Sequence, residues 1–260
     1  MTSDFEDVQD GRSTYVTAFG RGLSVIRCFS AERPTLTIAE VARETGLNRA
    51  TARRFLHTLE TDGYVTSDYG RYTLRPAIMA LGNAYLSAMA INTGFQRRLQ
   101  ALSEQVHESC SVGALDGFDT VFVARAKPTA PRMMTLALNV GDRLPAFLTA
   151  LGRVLLAELP NRDLDDYIST APFEAKTERT VTDPNRLKDT ILQVREQGYS
   201  VSDQEIEHGV LAVATAVLRP TGPPLAISIA THTAKTKIEV VYDEFLPALR
   251  EKAAELSSTD

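Results

Sequence analysis

Residues 37–65 read TIAEVARETGLNRATARRFLHTLETDGYV, and the spacing within them decides the first half of the fold. Thr37 followed three positions later by Glu40 is a capping-box pattern that starts a short helix running through Thr45. Ile38, Val41 and Ala42 form its apolar face, and Gly46 can take the left-handed conformation that ends it. A single apolar residue, Leu47, then leads to Asn48, a second N-cap. The following helix is expected over 49–61, with Ala52, Phe55, Leu56 and Leu59 at i, i+3, i+4 and i+7. Its other side carries Arg49, Ala50, Arg53, Arg54 and His57. Two helices joined by a tight glycine turn make a helix-turn-helix, whose second helix presents its N-terminal residues to a DNA major groove.

The flanking residues extend this reading. Upstream, Phe19, Leu23, Ile26 and Phe29 predict a helix over 18–30, broken before Pro34. Downstream, Asp62-Gly63 stops the second helix, and residues 64–66 and 71–74 form two short strands. The turn Ser67-Asp68-Tyr69-Gly70 joins them into a hairpin "wing" with Tyr69 and Arg71 near its tip. Backbone N–H groups at the helix start, Asn48 to Thr51, suit a phosphate, and Thr51 suits a phosphate or a thymine methyl. The charge is uneven: the chain carries −5 overall, yet residues 11–76 hold ten arginines, no lysine and six acids, a net +4. Arginine matches phosphates and guanine edges in a planar, bidentate way. A +4 segment is also within ordinary scatter, and three helices with a hairpin also serve as protein-docking modules.

From residue 76 the pattern changes. A connector helix is expected over 76–90, then a helix at 95–107 and β runs at 109–114, 120–126 and 133–139. Helices follow at 149–158, 162–169 and 184–197, the last opened by Asp183-Pro184 and closed by Gly198. Two long β runs, 210–219 and 225–233, precede a closing helix at 237–256. The class is α+β, with a mainly antiparallel sheet covered by helices.

Thr149-Ala150-Leu151-Gly152 opens a helix and is the best small-anion candidate; an ordinary helix start with Gly152 serving close packing is the alternative. In the polar run 202–209, Asp203, Glu205 and Glu207 would share one face if extended, as a metal site or acid–base pair or as a solvated acidic loop. Arg125 suits a ligand carboxylate or these acids. Met133, Met134, Leu136 and Phe147 are pocket-lining or plain core. Ala212, Ala214, Ser228, Thr231 and His232 on the late β runs complete the candidates.

Other classes find little support. Cys28 and Cys110 are the only cysteines and His57, His107, His208 and His232 are scattered, so neither a disulfide scaffold nor a metal site is expected. There is no Gly-x-Ser-x-Gly elbow, Cys-x-x-Cys pair or lysine-bearing phosphate loop, so neither catalysis nor a cofactor is expected. No apolar run approaches the roughly 20 residues of a membrane helix. The acidic opening MTSDFEDVQD has no signal segment, and a cytoplasmic protein is expected.

The stretch quoted first, continued by GRYTLRPAIMALGNAYLSA at 70–88, resembles the DNA-binding half of IclR-family bacterial transcription regulators. VGDRLPAFLTALGRVLLAEL at 140–159 and VREQGYSVSDQEIEHGVLAVATAV at 194–217 resemble the signatures around that family's effector pocket. TARRFLHTL, RLPAF, GRVLLA and ATHTA are most similar to regulators of aromatic-acid catabolism serving the protocatechuate and β-ketoadipate pathway. The resemblance implies a winged helix-turn-helix over 15–75, a linker helix over 76–92 and a GAF-like effector domain over 93–258. It further implies a homodimer or homotetramer on double-stranded operator DNA, responding to a small organic acid. The DNA contacts would come from Thr37, Asn48, Arg49, Ala50, Thr51, Arg53, Arg54, His57, Tyr69 and Arg71. The rival reading is a small-molecule enzyme with an accessory winged-helix docking domain.

Overall fold

The computed structural model describes residues 15–129, 138–220 and 222–258, and the chain divides into two compact units, residues 1–85 and 86–260. The first contains α1 (Thr17–Arg27), β1 (Thr35–Thr37), α2 (Ile38–Thr45), α3 (Arg49–Thr61), β2 (Val65–Asp68) and β3 (Arg71–Leu74). The capping box forms at α2: Glu40 Oε2 accepts from the Thr37 N–H at 2.7 Å, and Thr37 Oγ1 accepts from the Glu40 N–H at 3.3 Å. The Thr37 N–H and the Thr37 hydroxyl, both donating to this carboxylate, hold it below its usual range. Gly46 ends α2 at φ 67°, and Asn48 Oδ1 caps α3 by accepting from the Thr51 N–H at 2.8 Å.

Val25, Leu36, Val41, Ala52 and Leu56 are buried together where the three helices meet. Leu36 reaches that core from β1, which pairs antiparallel with β3 in the sheet order β1-β3-β2. A three-residue strand is too short to show periodicity, and β1 was not expected. Tyr69 and Gly70, at φ 45° and 78°, join β2 to β3 in a two-residue turn, with Asp68 opposite Arg71. Positive φ at both central positions is the type I′ geometry, whose twist suits a tight hairpin. A 3₁₀ turn at Pro76–Ile78 then leads into α4 (Met79–Ala88), which has no buried residue.

The second unit contains α5 (Thr93–Val106), β4 (Ser109–Asp116), β5 (Asp119–Ala126), β6 (Arg143–Pro145), α6 (Ala150–Ala157), α7 (Asn161–Thr170) and α8 (Pro184–Gln197). It continues with β7 (Tyr199–Asp203), β8 (Val210–Val217), β9 (Leu225–His232), α9 (Ile238–Val240) and α10 (Leu246–Ser257). Its six strands form one antiparallel sheet in the order β6-β5-β4-β9-β8-β7. The α+β class with a mainly antiparallel sheet is therefore as expected. β6 and β7, the two edge strands, were not expected, and the run at 133–139 lies mostly outside the described residues. The closing helix passes through a π turn, Val241–Phe245, just before Pro247, which has no N–H for the regular ladder.

Strand alternation divides the side chains between two layers. Cys110, Val112, Val213, Ile227 and Ile229 pack against Leu99 and Leu102 of α5 and Leu249 and Leu256 of α10. The opposite face meets α6, in which every residue is buried. Three groups of Arg195 close the end of that helix region, donating to the carbonyls of Ala157 and Leu159 and to Asn161 Oδ1, each at 2.7 Å. No helix among the described residues is long and apolar enough to cross a membrane.

One irregularity positions the site. In the β4–β5 ladder Val112 faces Ala124, but the adjacent Gly113 faces Phe122, so Val123 is an extra residue. Such a bulge shifts the alternation by one. Phe122 and Arg125, three apart, consequently both face the α6 side. Gly113 is needed there, because a Cβ would lie 2.6 Å from Thr120 Cγ2.

Candidate functional site

The α3 surface is built by its periodicity. Ala52 and Leu56 are fully buried, whereas Arg49, Ala50, Arg53, Arg54 and His57 are exposed, with Thr51 half-buried between them. An open hollow brings Arg49, Ala50 and Arg53 together with Thr37 at the start of α2 and Gly70 of the wing. Three expected contacts have structural work of their own. Thr37 Oγ1 and Glu40 Oε2 hydrogen-bond at 2.8 Å, and Asn48 Oδ1 is the α3 cap, so the Thr51 N–H is not open to a phosphate as expected. Arg71 lies at the base of the turn but reaches back, its Nε and Nη2 donating to Thr35 Oγ1 at 3.2 and 3.1 Å. Tyr69 stands fully exposed at the tip.

The second site is a cavity between the sheet and the first turn of α6. Of the expected effector contacts, Arg125, Thr149, Ala150, Leu151, Ala212 and Ser228 line it. The ladder explains the convergence: Ser111 faces Arg125 on β5 and Ser228 on β9, placing a cation and two hydroxyls in one row across three strands. The next row, Ala230, Ala212 and Ser202, is made of small side chains. Phe122, Leu138, Leu144, Leu148 and Ile206 supply apolar walls. The Arg125 guanidinium lies 5.7 Å from the Phe122 ring centroid, within cation–π range.

Several expected contacts are elsewhere. Phe147 is buried in the core, edge-on to Phe173 at 5.1 Å between centroids, and Ala214 packs in the same cluster. Gly152 serves close packing, the alternative noted for it: a Cβ there would lie 2.1 Å from the Ala146 carbonyl oxygen. Its N–H donates to Thr149 Oγ1 at 2.8 Å, an N-cap that Thr120 Oγ1 approaches at 3.2 Å. Asp203 is the last residue of β7, and beyond it Asp203, Glu205 and Glu207 do not continue as one strand face. Asp203 forms an exposed ion pair with Arg179 at 2.5 Å.

Glu205 is buried and accepts from both terminal nitrogens of Arg153 on α6 at 2.5 Å, while Arg153 Nε donates to the Phe147 carbonyl at 2.8 Å. Thr177 and Thr180 hydroxyls donate at 2.7 Å to the carbonyls of Gln204 and Glu205. Glu205 thus anchors the loop that carries Ile206 to the cavity. Thr231 bonds Glu108 and Thr236 at 2.9 and 2.7 Å, away from the cavity lining. Cys110 of β4 is buried in the layer facing α5 and α10, with its thiol pushed up by desolvation, as suits a small core residue. Met134 and Leu136 lie outside the described residues.

Sequence reasoning missed Ser111, Phe122, Leu138, Leu144, Leu148, Ser202, Ile206, Val210 and Ala230 as lining residues. The Ser/Ala alternation of β4, β8 and β9 was the available signal, but it marks a cavity only once the register is known. Arg125 is the one charged residue lining the cavity among the described residues. One cation, a row of hydroxyls and apolar walls suit a small carboxylate with an apolar body.

Two family models match the chain: the IclR helix-turn-helix domain over residues 18–68, and the bacterial transcriptional regulator IclR C-terminal domain over residues 83–258. The Pca regulon regulatory protein of Pseudomonas putida is 39% identical over 240 residues, covering 92% of this chain and 82% of that protein. A solved transcriptional regulator from Rhodococcus sp. RHA1 is 42% identical with a TM-score of 0.80, covering 94% of this chain and 97% of the other. The inducer-binding domain of Acinetobacter PobR, solved as a double mutant with 3-hydroxybenzoic acid, is 31% identical with a TM-score of 0.59, covering 63% and 95% of the two chains. An exposed arginine-bearing helix, a wing and an arginine-bearing cavity thus occur in a chain that both models match, and the chain belongs to the IclR family of bacterial transcriptional regulators.

Proposed function

We propose that the chain binds operator DNA as a homo-oligomer through Arg49, Arg53 and Arg54 of α3 and the wing, and that a small aromatic carboxylic acid in the α6 cavity sets that binding. The observation that carries this reading is the row Arg125–Ser111–Ser228 beside the Phe122 ring, facing the start of α6. The guanidinium suits the carboxylate, the serines suit a hydroxyl, and the apolar walls suit a ring. The bound 3-hydroxybenzoic acid of the PobR relative supports this ligand class. Met79 and Leu81 of α4, 63% and 54% exposed, support self-association along that helix. An acid alters DNA affinity only if it binds one conformation of the chain better than the other.

Titrating hydroxybenzoates into the full chain by calorimetry, beside mobility shifts with and without the acid, tests the reading. Arg125→Met should weaken acid binding by about 10–100-fold, as expected for loss of a charge-assisted hydrogen bond. Unaltered affinity would remove Arg125 from the site. Turnover of the acid without DNA binding would favour the enzyme reading instead. On the DNA side, Arg53→Ala should cost about 1–3 kcal/mol of operator affinity. A base contact would relax preference at one position, whereas a phosphate contact would weaken all sequences and flatten the salt dependence. Intact binding after Arg53→Ala would place recognition on another surface.

A further inference from the structure

We propose, on the acid-and-operator reading above, that Arg219 couples the cavity to the end of α4 by gripping the joint between α4 and α5. That end of the helix lies within the second unit. α4 stops at Ala88 in a Schellman arrangement: the Ala90 N–H donates to the Ser87 carbonyl at 3.0 Å, and the Ile91 N–H to the Leu86 carbonyl at 2.9 Å. This stop needs a left-handed residue, and Ala90 supplies it at φ 48°. Glycine is the usual occupant, because a Cβ is strained there. Asn92 then starts α5, its Oδ1 accepting from the Gly94 and Phe95 N–H groups at 2.9 and 3.1 Å. Two capped helices thus meet across residues 89–92, with a strained alanine in the joint.

Arg219 holds that joint from the β8–β9 connection. Its Nη1 donates to the Met89 carbonyl, and its Nη2 lies 3.5 Å from Met89 Sδ and 3.5 Å from the Pro223 carbonyl oxygen. A cation at the Met89 carbonyl also complements the negative end of α4. Met89 itself is buried in one core with Phe95, Val217 and Leu225. The Arg219 Nε, however, is buried with no hydrogen-bond partner among the described residues. An unsatisfied buried donor is costly, so this grip competes with any arrangement in which Nε finds an acceptor. A strained alanine and an orphaned donor at one joint are what an element with two arrangements requires. The connection to the cavity is β8, which carries Val210 and Ala212 at the lining and leads to Arg219 seven residues past Ala212. At about 3.3 Å per residue, one strand spans the roughly 20 Å between the two places.

The test uses the full chain, a duplex that the unaltered chain selects from a random library, and the hydroxybenzoate isomer that binds best in the titration above. Operator affinity is measured with and without saturating acid, and acid affinity by calorimetry. The unaltered chain should show a ratio of at least about 5 between the two operator affinities. In Arg219→Met the acid affinity should stay within about twofold while that ratio falls below about 2. Arg219→Lys, which keeps a cation for the Met89 carbonyl, should recover most of the ratio. Ala90→Gly should raise the thermal midpoint and also shrink the ratio, because glycine adopts the left-handed conformation without strain and fixes the joint. This second variant carries the test if Arg219→Met fails to fold. An unchanged ratio in Arg219→Met or in Ala90→Gly overturns the proposal. A fall in acid affinity in Arg219→Met also overturns it, since Arg219 would then act on the cavity itself. A ratio near 1 in the unaltered chain fells the acid-and-operator reading, and the coupling with it. A full ratio in both the unaltered chain and Arg219→Met leaves that reading standing and sinks the coupling alone.

Discussion

Glu205→Ala should lower the unfolding free energy by about 3–5 kcal/mol, the usual result of stranding one member of a buried ion pair. The Arg153 side chain is only 2% exposed, and its two terminal nitrogens both donate to Glu205 at 2.5 Å. With the carboxylate gone, the Phe147 carbonyl on Nε is the one hydrogen-bond partner left to the guanidinium among the described residues, and the cation stays in a low-dielectric interior. The double replacement Arg153→Met with Glu205→Leu should cost far less than Glu205→Ala alone, because apolar side chains of similar size often replace a buried pair without loss. Urea unfolding of the three proteins measures both quantities. A cost below about 1 kcal/mol for Glu205→Ala would mean that the pair behaves like a surface bridge.

The second large effect is expected at Gly152. A methyl there would lie 2.1 Å from the Ala146 oxygen, 2.4 Å from its Cα and 2.5 Å from its carbonyl carbon. These are backbone atoms and cannot rotate aside as a side chain can. Gly152→Ala should therefore cost about 3 kcal/mol, the upper end of ordinary overpacking, despite alanine's better helix propensity. Relief has to come from moving α6 away from Ala146–Leu148, which also shifts Thr149 to Leu151 at the cavity. Effector affinity should fall together with stability in this variant. A thermal midpoint equal to that of the unaltered chain would show that the helix has slack.

The helix-turn-helix was legible because its signals are local. Thr37 and Glu40, Gly46, and Asn48 and Thr51 each act across a few residues, and the structure uses them as caps and a left-handed stop. The cavity was only half legible. Thr149, Ala150 and Leu151 could be found from a helix start and Arg125 and Ser228 from β runs, yet Ser111 and Ser202 join them only through the sheet register. The partner of Glu205 was not legible, because Arg153 lies 52 positions away on a helix with no exposed face to betray it. β1 and β6 escaped for a plainer reason: three residues do not establish a period.

The extra residue Val123 also bears on how chains of this kind are compared. Before it and after it, odd and even positions of β5 exchange inside and outside. An alignment that drops or adds one residue near Val123 without registering the kink would assign the Arg125 role to a neighbour buried on the far layer. Ligand preference inferred by counting along this strand is thus trustworthy only when the kink itself has been matched.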